Sequence, residues 1–244
     1  MKISVVVPMY NESAVIANTA RTLSEYMESN FEDYEIIFSD DGSADDSVKI
    51  VEALTLKNVR VVLSDRNYGK GHAVKNGVIA AEGDVIAFTD ADLAYGAEVI
   101  SKAAELISQS GADMLLGSRN LDKSGYGDYP AIRKLFSRVY IGVLGLIAGF
   151  RLSDSQCGFK MFTRETAKKL FKLNQTNGFA FDIENILWAQ HFKYKIVEMP
   201  VSVLVHGNSS VSIVKDSIKM VRDLLRIKKR IKKSIKKDKP EGSN

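Results

Sequence analysis

One cysteine in 244 residues, Cys157, leaves no partner for an internal disulfide, so an oxidising compartment is not expected. No run of about 18 uncharged apolar residues is present, and nothing in the sequence is expected to span a bilayer. The best apolar candidate, VYIGVLGLIAGF at 139–150, is 12 residues long, a length that suits an interfacial or buried helix. No basic, apolar and small-residue leader opens the chain, which points to the cytosol. Histidine is scarce: His72, His191 and His206 lack metal-ligand spacing and are expected to pack or to sit at the surface. Neither GxxxxGK[ST] nor GxGxxG occurs, which argues against ATPase and dinucleotide chemistry. No GxSxG and no Cys/His nucleophile pair is found, and Cys157 is expected as a small buried residue. Internal repeats are absent, and only the lysine-rich stretch 228–239 is of low complexity.

What is present is enough for a full core. Hydrophobic residues make up 45% of the chain and charged residues 26%, within the range of one large α/β domain. The net charge of +4 hides an asymmetry, because residues 215–244 hold 12 Lys or Arg against 4 Asp or Glu. The body is therefore mildly acidic and the tail basic. Short apolar runs, Ile3–Val7, Glu35–Ser39, Val59–Leu63, Asp84–Phe88 and Asp113–Gly117, alternate with helical stretches near Glu12–Glu28, Asp45–Leu56, Gly71–Ala81 and Gly96–Ser108. Strands apolar almost throughout are buried on both faces, so the expectation is an α/β fold with a mostly parallel central sheet and helices on both faces. Residues 1–212 are expected to form one domain, with a basic amphipathic helix and tail at 213–244. Ser43, with Asp45 and Asp46, is expected to start the second helix.

Open parallel sheets bind ligands beyond the carboxyl ends of their strands. Four polar signatures fall there: PMYNE (Pro8–Glu12), DDGSADDS (Asp40–Ser47), DRNYGKG (Asp65–Gly71) and TDADLA (Thr89–Ala94). Asp90 and Asp92 offer hard oxygen ligands at a cleft, suited to Mg²⁺ or Mn²⁺ completed by phosphate oxygens and water. Taken alone, Asp-x-Asp is equally a solvated turn or a helix cap. Asp41 can accept from a uracil N–H or from ribose hydroxyls, whereas Asp40 suits a turn. Two glycines around Lys70 are expected to turn backbone N–H groups and one positive charge towards anionic oxygen.

In this order, PMYNE, DDGSADDS, GKG, DAD and GSR (Gly117–Arg119) resemble the family 2 glycosyltransferases of GT-A fold over about the first 120 residues. A second set, SDSQCGFKMF (Ser153–Phe162) and FAFDIE (Phe179–Glu184), is similar to the dolichyl-phosphate glucosyltransferases and more distantly to the dolichyl-phosphate mannose synthases. The resemblance implies a nucleotide-sugar half at 1–120 and an acceptor half at 121–212. It implies that Pro8, Tyr10, Glu12 and Asp41 frame the nucleotide with Lys70 nearby, and that Asp90 and Asp92 hold the metal on the diphosphate. Arg119 and Arg133 would face the acceptor phosphate, with Asp154 and Gln156 on the same side. The synthases tend to show Gly-Ser-Lys where this chain has GNSSV (Gly207–Val211). Ser210 cannot supply that charge, so Lys215 or His206 would have to.

The implied reaction is an inverting transfer of a hexose, glucose from UDP-glucose being the first choice, onto a polyprenyl or dolichyl phosphate. A phosphate monoester with a second pKa near about 6 is already ionised at neutral pH, so Asp154 and Asp182 are as plausibly positioning groups as bases. Transfer to a polysaccharide hydroxyl, or a silent nucleotide-sugar or membrane-surface binding module, are the rival readings. Apolar residues from Ile213 to Ile235 recur at three and four among lysines, an amphipathic basic helix. Its first two turns suit core docking, whereas the part beyond Arg226 is expected to bury too little and to lie on anionic lipid at the inner membrane face. Nucleic acid is not an expected partner, because the tail lacks interleaved aromatics.

Overall fold

A computed structural model describes residues 1–122, 142, 145, 147, 149–204 and 213–237, with 213–219 described by backbone alone. Seven strands form one sheet: β1 (Ile3–Met9), β2 (Tyr34–Asp40), β3 (Val59–Leu63), β4 (Val85–Phe88), β5 (Met114–Ser118), β6 (Lys160–Thr163) and β7 (Ile196–Pro200). Seven helices are described: α1 (Ile16–Asn30), α2 (Ser47–Ala53), α3 (Lys70–Ala80), α4 (Glu98–Ser110), α5 (Arg164–Leu173), α6 (Phe181–His191) and α7 (Ile213–Lys237). The sheet order is β3-β2-β1-β4-β6-β5-β7. β1 to β4 are mutually parallel, β5 pairs in parallel with β7, and β6 runs antiparallel between β4 and β5. The expected mostly parallel sheet is thus found, with one reversed strand inserted at its centre.

Strand alternation sends Val5 and Val7 to one face and Val6 to the other, and a separate core grows on each. The first joins β1 to Ile16, Leu23 and Met27 of α1 and to Ile100 and Ile107 of α4. The second joins Val6, Ile86 and Phe88 to Val74, Phe171, Phe181, Ile186 and Trp188, and to Leu224, Ile227 and Ile231 of α7. Each such side chain contributes about 1.5–3 kcal/mol when fully buried. β1, β2, β4 and β5 are buried along their length. β3 departs from the expected two-sided burial, because it is an edge strand and Leu63 is 61% exposed.

Two expectations need correcting. Ser43 does not cap α2: its hydroxyl donates to Asp40 Oδ1 at 2.5 Å and accepts the Asn11 N–H at 2.9 Å, and the helix begins four residues later. The short hydroxyl is drawn to the nearer carboxylate. The segment of α7 beyond Arg226 also buries more than its composition suggests. Ile227 and Ile231 are 2% and 7% exposed, Ile235 packs against the same core, and the lysines face outward. One isoleucine per turn, aimed at α6, suffices for docking.

Candidate active site

The first three loops are laced together by carboxylates and hydroxyls that accept backbone N–H groups. Asp40 accepts from Gly42 and Ser43 and so closes its own turn, as expected of it. The Asn11 side chain accepts the Ala44 N–H at 2.8 Å, Ser47 Oγ accepts the Glu12 N–H at 2.8 Å, and Asp45 accepts the Ser13 N–H at 3.0 Å. Asp41 is 2% exposed and spans to the third loop, accepting the Tyr68 and Gly69 N–H groups at 3.1 and 2.7 Å. Its carboxylate is committed to shaping the cleft wall. Gly42 is required at φ +75, since a Cβ would lie 2.4 Å from the Arg66 carbonyl carbon.

The GKG glycines serve a purpose other than the expected one. Gly69 N–H is taken by Asp41, and Gly71 N–H donates to Asn177 O at 2.7 Å. A Cβ on Gly69 or Gly71 would lie 2.6 or 2.5 Å from the carbonyl oxygens of Asn177 and Thr176. The glycines therefore admit the 174–180 loop against the start of α3. Among these groups it is the Lys70 side chain that reaches the cleft, where its ammonium pairs with Asp90.

Asp90 follows β4 and is pressed against Gly158, whose Cβ, if present, would lie 2.1 Å from Asp90 Oδ2. Asp92 is exposed and accepts the Ala94 N–H at 3.1 Å. Desolvation by its surroundings in the cleft, then the charge of Asp90, raises the Asp92 pKa above the usual carboxylate value. Partial burial, then the charges of Asp92 and Asp90, raise that of Glu12. Three carboxylates from the ends of β1 and β4 thus repel one another across one cleft. Burial works against the charge on Lys70, yet Asp90, Asp182 and Asp92 hold its pKa above the ordinary value. Tyr10 is 44% exposed at the β1 end, and Phe179 is 61% exposed with Lys70 Nζ 6.0 Å from its ring centroid. Pro8 lies within β1, buried.

On the other side of Asp90, the fully buried Asp154 grips Arg119 from three directions: Nε at 2.6 Å, Nη2 at 3.1 Å and the backbone N–H at 3.3 Å. Despite desolvation, that carboxylate holds the guanidinium well above its ordinary pKa. Glu198 Oε1 in turn accepts from the Ser153 and Asp154 N–H groups at 2.8 and 3.2 Å. Tyr95 lies within electrostatic reach of both Arg119 and Asp90 and so links the two sides. Cys157 is fully buried beside them, with its thiol pushed up to about 11, chiefly by desolvation. The Gln156 backbone N–H donates to Asp154 Oδ1 at 3.3 Å, and its side-chain amide nitrogen lies 3.5 Å from Met220 Sδ of α7. Asp182 lies 3.0 Å from Lys160 Nζ, and its pKa is raised by burial against the opposing pull of Lys160 and Lys70. Arg133, His206 and the Lys215 side chain lie outside the described residues.

A sequence profile of glycosyl transferase family 2 matches residues 4–171. The chain is a member of glycosyltransferase family 2. It is 32% identical over 230 residues to glycosyltransferase AglD of Haloferax volcanii, which covers 93% of this chain but 37% of that protein. It is 30% identical to dolichyl-phosphate beta-glucosyltransferase of Dictyostelium discoideum, over 93% of this chain and 73% of that one. The same comparison with the Homo sapiens enzyme of that name gives 31%, 94% and 75%. Among solved structures, glucosyl-3-phosphoglycerate synthase from Mycobacterium tuberculosis, in complex with Mn²⁺, UDP and glucosyl-3-phosphoglycerate, superposes with a TM-score of 0.70 at 21% identity, covering 93% of this chain and 79% of that one. The GT-A fold is thereby shown.

The chemistry of this glycosyltransferase's cleft suits a divalent ion. No cluster of three metal-ligating residues occurs among the described residues. Mg²⁺-type sites usually need only one or two carboxylates and take the rest from phosphates and water. Asp92, exposed and repelled by Asp90, meets that requirement, and cation binding would relieve the repulsion recorded in the raised pKa values of Asp92 and Glu12.

Sequence reasoning passed over Lys160, Glu198 and Arg230. Lys160 is fully buried on β6, donates to Cys157 O at 2.7 Å and stands beside Phe88 in the sheet register. A lysine in an otherwise apolar KMF strand is the one sequence signal that could have marked it. The Arg230 guanidinium on α7 reaches Glu184 Oε2 at 2.5 Å and Thr176 Oγ1 at 2.8 Å. Glu184 belongs to FAFDIE and is buried, so that motif is partly an anchor for the C-terminal helix.

Proposed function

We propose that this family 2 enzyme transfers glucose from UDP-glucose to a polyprenyl or dolichyl phosphate at the cytoplasmic face of a membrane, with inversion at the anomeric carbon. Support comes from one feature above the rest, the facing of an Asp90–Asp92–Glu12–Lys70 cluster by an Arg119 locked to buried Asp154. Names of relatives of which this chain covers most of the length agree with that acceptor. No helix among the described residues is long and apolar enough to cross a membrane.

The donor half would take the nucleotide between Tyr10 and the wall built by Asp41, with Pro8 and Glu12 below. Asp90 and Asp92 would hold Mg²⁺ or Mn²⁺, which when bound supplies Lewis-acid neutralisation of the diphosphate. Lys70, aimed by Asp90, places an ammonium where the leaving group gains negative charge, and a preorganised charge of this kind needs no reorganisation during the reaction. Arg119, and Arg133 with it, would receive the acceptor phosphate. Asp154 fixes the guanidinium plane for bidentate contact with phosphate oxygens. A phosphate monoester, with a second pKa of about 6, attacks without a general base. Asp182, paired with Lys160 and attracted to Lys70, acts as a positioning residue.

The test is to incubate the protein with Mn²⁺, polyprenyl phosphate and radiolabelled UDP-glucose, UDP-N-acetylglucosamine or GDP-mannose. Label from UDP-glucose should enter the organic phase. Label that enters that phase only from another donor overturns the choice of sugar. Label transferred only to a water-soluble acceptor overturns the lipid.

A further inference from the structure

Helix α7 carries two kinds of surface. Its Leu224 and Ile227 are spent on the core against α6, so they are not available to lipid. Beside that seam lies a groove of about 340 Å³ lined by Leu187, Lys228, Ile231, Lys232, Ile235 and Lys236. At about 3.6 residues per turn, Lys228, Lys232 and Lys236 form one stripe along a single flank of the helix, with a spacing of about 6 Å between successive positions. Lys228 is partly occupied, since its ammonium donates to Ile147 O. Lys232 and Lys236 are exposed and have no acidic partner among the ion pairs of the described residues. An apolar floor under a row of ammonium groups matches an amphiphile with an anionic head.

The groove is also near the chemistry. Leu187 lies five residues beyond Asp182 on α6, about 7.5 Å along the axis. Arg230 ties α7 to Thr176, next to the Asn177 carbonyl that holds Gly71. Lipid seated in the groove would therefore hold the cleft at a fixed height above the bilayer.

We infer that the α6–α7 groove is a binding site for an anionic phospholipid of the bilayer, with its phosphate between Lys232 and Lys236 and the start of its acyl chain on Leu187, Ile231 and Ile235. This deepens the proposed function and rests on its reading of a lipid acceptor, but the site is distinct from the acceptor phosphate site at Arg119. Diffuse attraction of a basic helix to a charged surface is the rival, and it makes no distinction between lysines of equal exposure.

Co-sedimentation of the full chain with vesicles of phosphatidylcholine and phosphatidylglycerol in equal parts, against pure phosphatidylcholine, separates the two. Wild type should partition onto the anionic vesicles only. Lys232→Gln with Lys236→Gln should lower that partition about thirtyfold, from about 1 kcal/mol per lysine near an anionic surface. Lys233→Gln with Lys237→Gln, which removes the same charge from the outer flank, should lower it severalfold less. Leu187→Gln, which changes no charge, should also lower it. Equal losses from the two lysine pairs, or no binding by wild type, overturn the inference. Transfer to polyprenyl phosphate in detergent is measured in parallel and should be unchanged by the Lys232 and Lys236 pair. If transfer persists while the vesicle pattern fails, the groove is wrong and the transfer reading stands. If the vesicle pattern holds while transfer fails, the acceptor reading is wrong and the groove stands.

Discussion

The two sides of the cleft are built by opposite means. On the donor side, short acidic side chains accept backbone N–H groups a few residues away or in the adjacent loop: Asp40 from its own turn, Asp45 from Ser13, Asp41 from Tyr68 and Gly69. On the acceptor side the frame is a set of ion pairs between distant residues, each with a buried carboxylate: Arg119 with Asp154, Lys160 with Asp182, and Arg230 with Glu184. A backbone N–H is supplied by any residue but proline, so these contacts tolerate change in everything but the accepting side chain and the glycines that permit close approach. A buried ion pair fails when either partner is lost, because the survivor is left as an uncompensated charge. The acceptor side should therefore be the more fragile half.

That contrast can be broken, and the largest effect should come from its most buried member. Lys160→Met strands Asp182 in the core and should cost about 3–5 kcal/mol in denaturant unfolding. Adding Asp182→Leu should recover most of it, whereas a second loss of similar size would refute the pairing. Next in size, Asp92→Asn should lower transfer about 10²–10³-fold and weaken Mn²⁺ binding by calorimetry while leaving the unfolding midpoint in place. Unchanged Mn²⁺ affinity would remove Asp92 from the metal site. Arg230→Met should destabilise by about 1.5–3 kcal/mol through the loss of charged hydrogen bonds to Glu184. Its effect should appear as faster hydrogen exchange in the 174–180 loop as well as in α7. Asp41→Asn, on the donor side, keeps one acceptor oxygen and should cost only about 1–2 kcal/mol. A cost equal to that of Lys160→Met would erase the distinction between the halves.

The smallest effect sharpens the comparison through pH. Glu35 on β2 belongs to a long-range ion pair of the donor half, with Arg60 Nη2 at 3.0 Å, and accepts from Ser4 Oγ at 2.6 Å. Burial raises its pKa, but Ser4, the Glu82 N–H and Arg60 together outweigh burial and leave it lowered. A lowered folded pKa means that the stabilisation is present above the unfolded value of about 4.3 and is lost as pH falls through the folded value. Wild type should exceed Glu35→Gln by about 1 kcal/mol at neutral pH, and the gap should close in acid. A gap that persists in acid would assign it to packing.

Five strands and four helices of the first half were legible because a buried strand must be apolar and a helix must repeat near 3.6, and both patterns are local. The four loops were legible because acidic and glycine-bearing turns follow each strand directly. What the loops do internally was less so. GKG looked like an anion cradle, yet its glycines exist to admit Asn177, a contact across 106 residues that no local pattern announces. Lys160 escaped notice because a lysine in a strand carries no sign of the aspartate it will meet, and β6 was not expected to run antiparallel between β4 and β5. The basic helix was recognised as amphipathic, but whether lipid or protein covers its apolar stripe depends on α6, which lies elsewhere in the sequence.

The sequence by itself determined the family, the parallel half of the sheet, and the carboxylates at the strand ends, since each depends on residues a few positions apart. Only the tertiary structure decided which carboxylates stay open to a ligand and which are consumed by neighbours, and it docked the C-terminal helix on the core. The physical reason is that a charge is defined by its surroundings: Asp92, Asp154 and Asp182 are the same residue in sequence. Exposure, Arg119 and Lys160 make them three different groups.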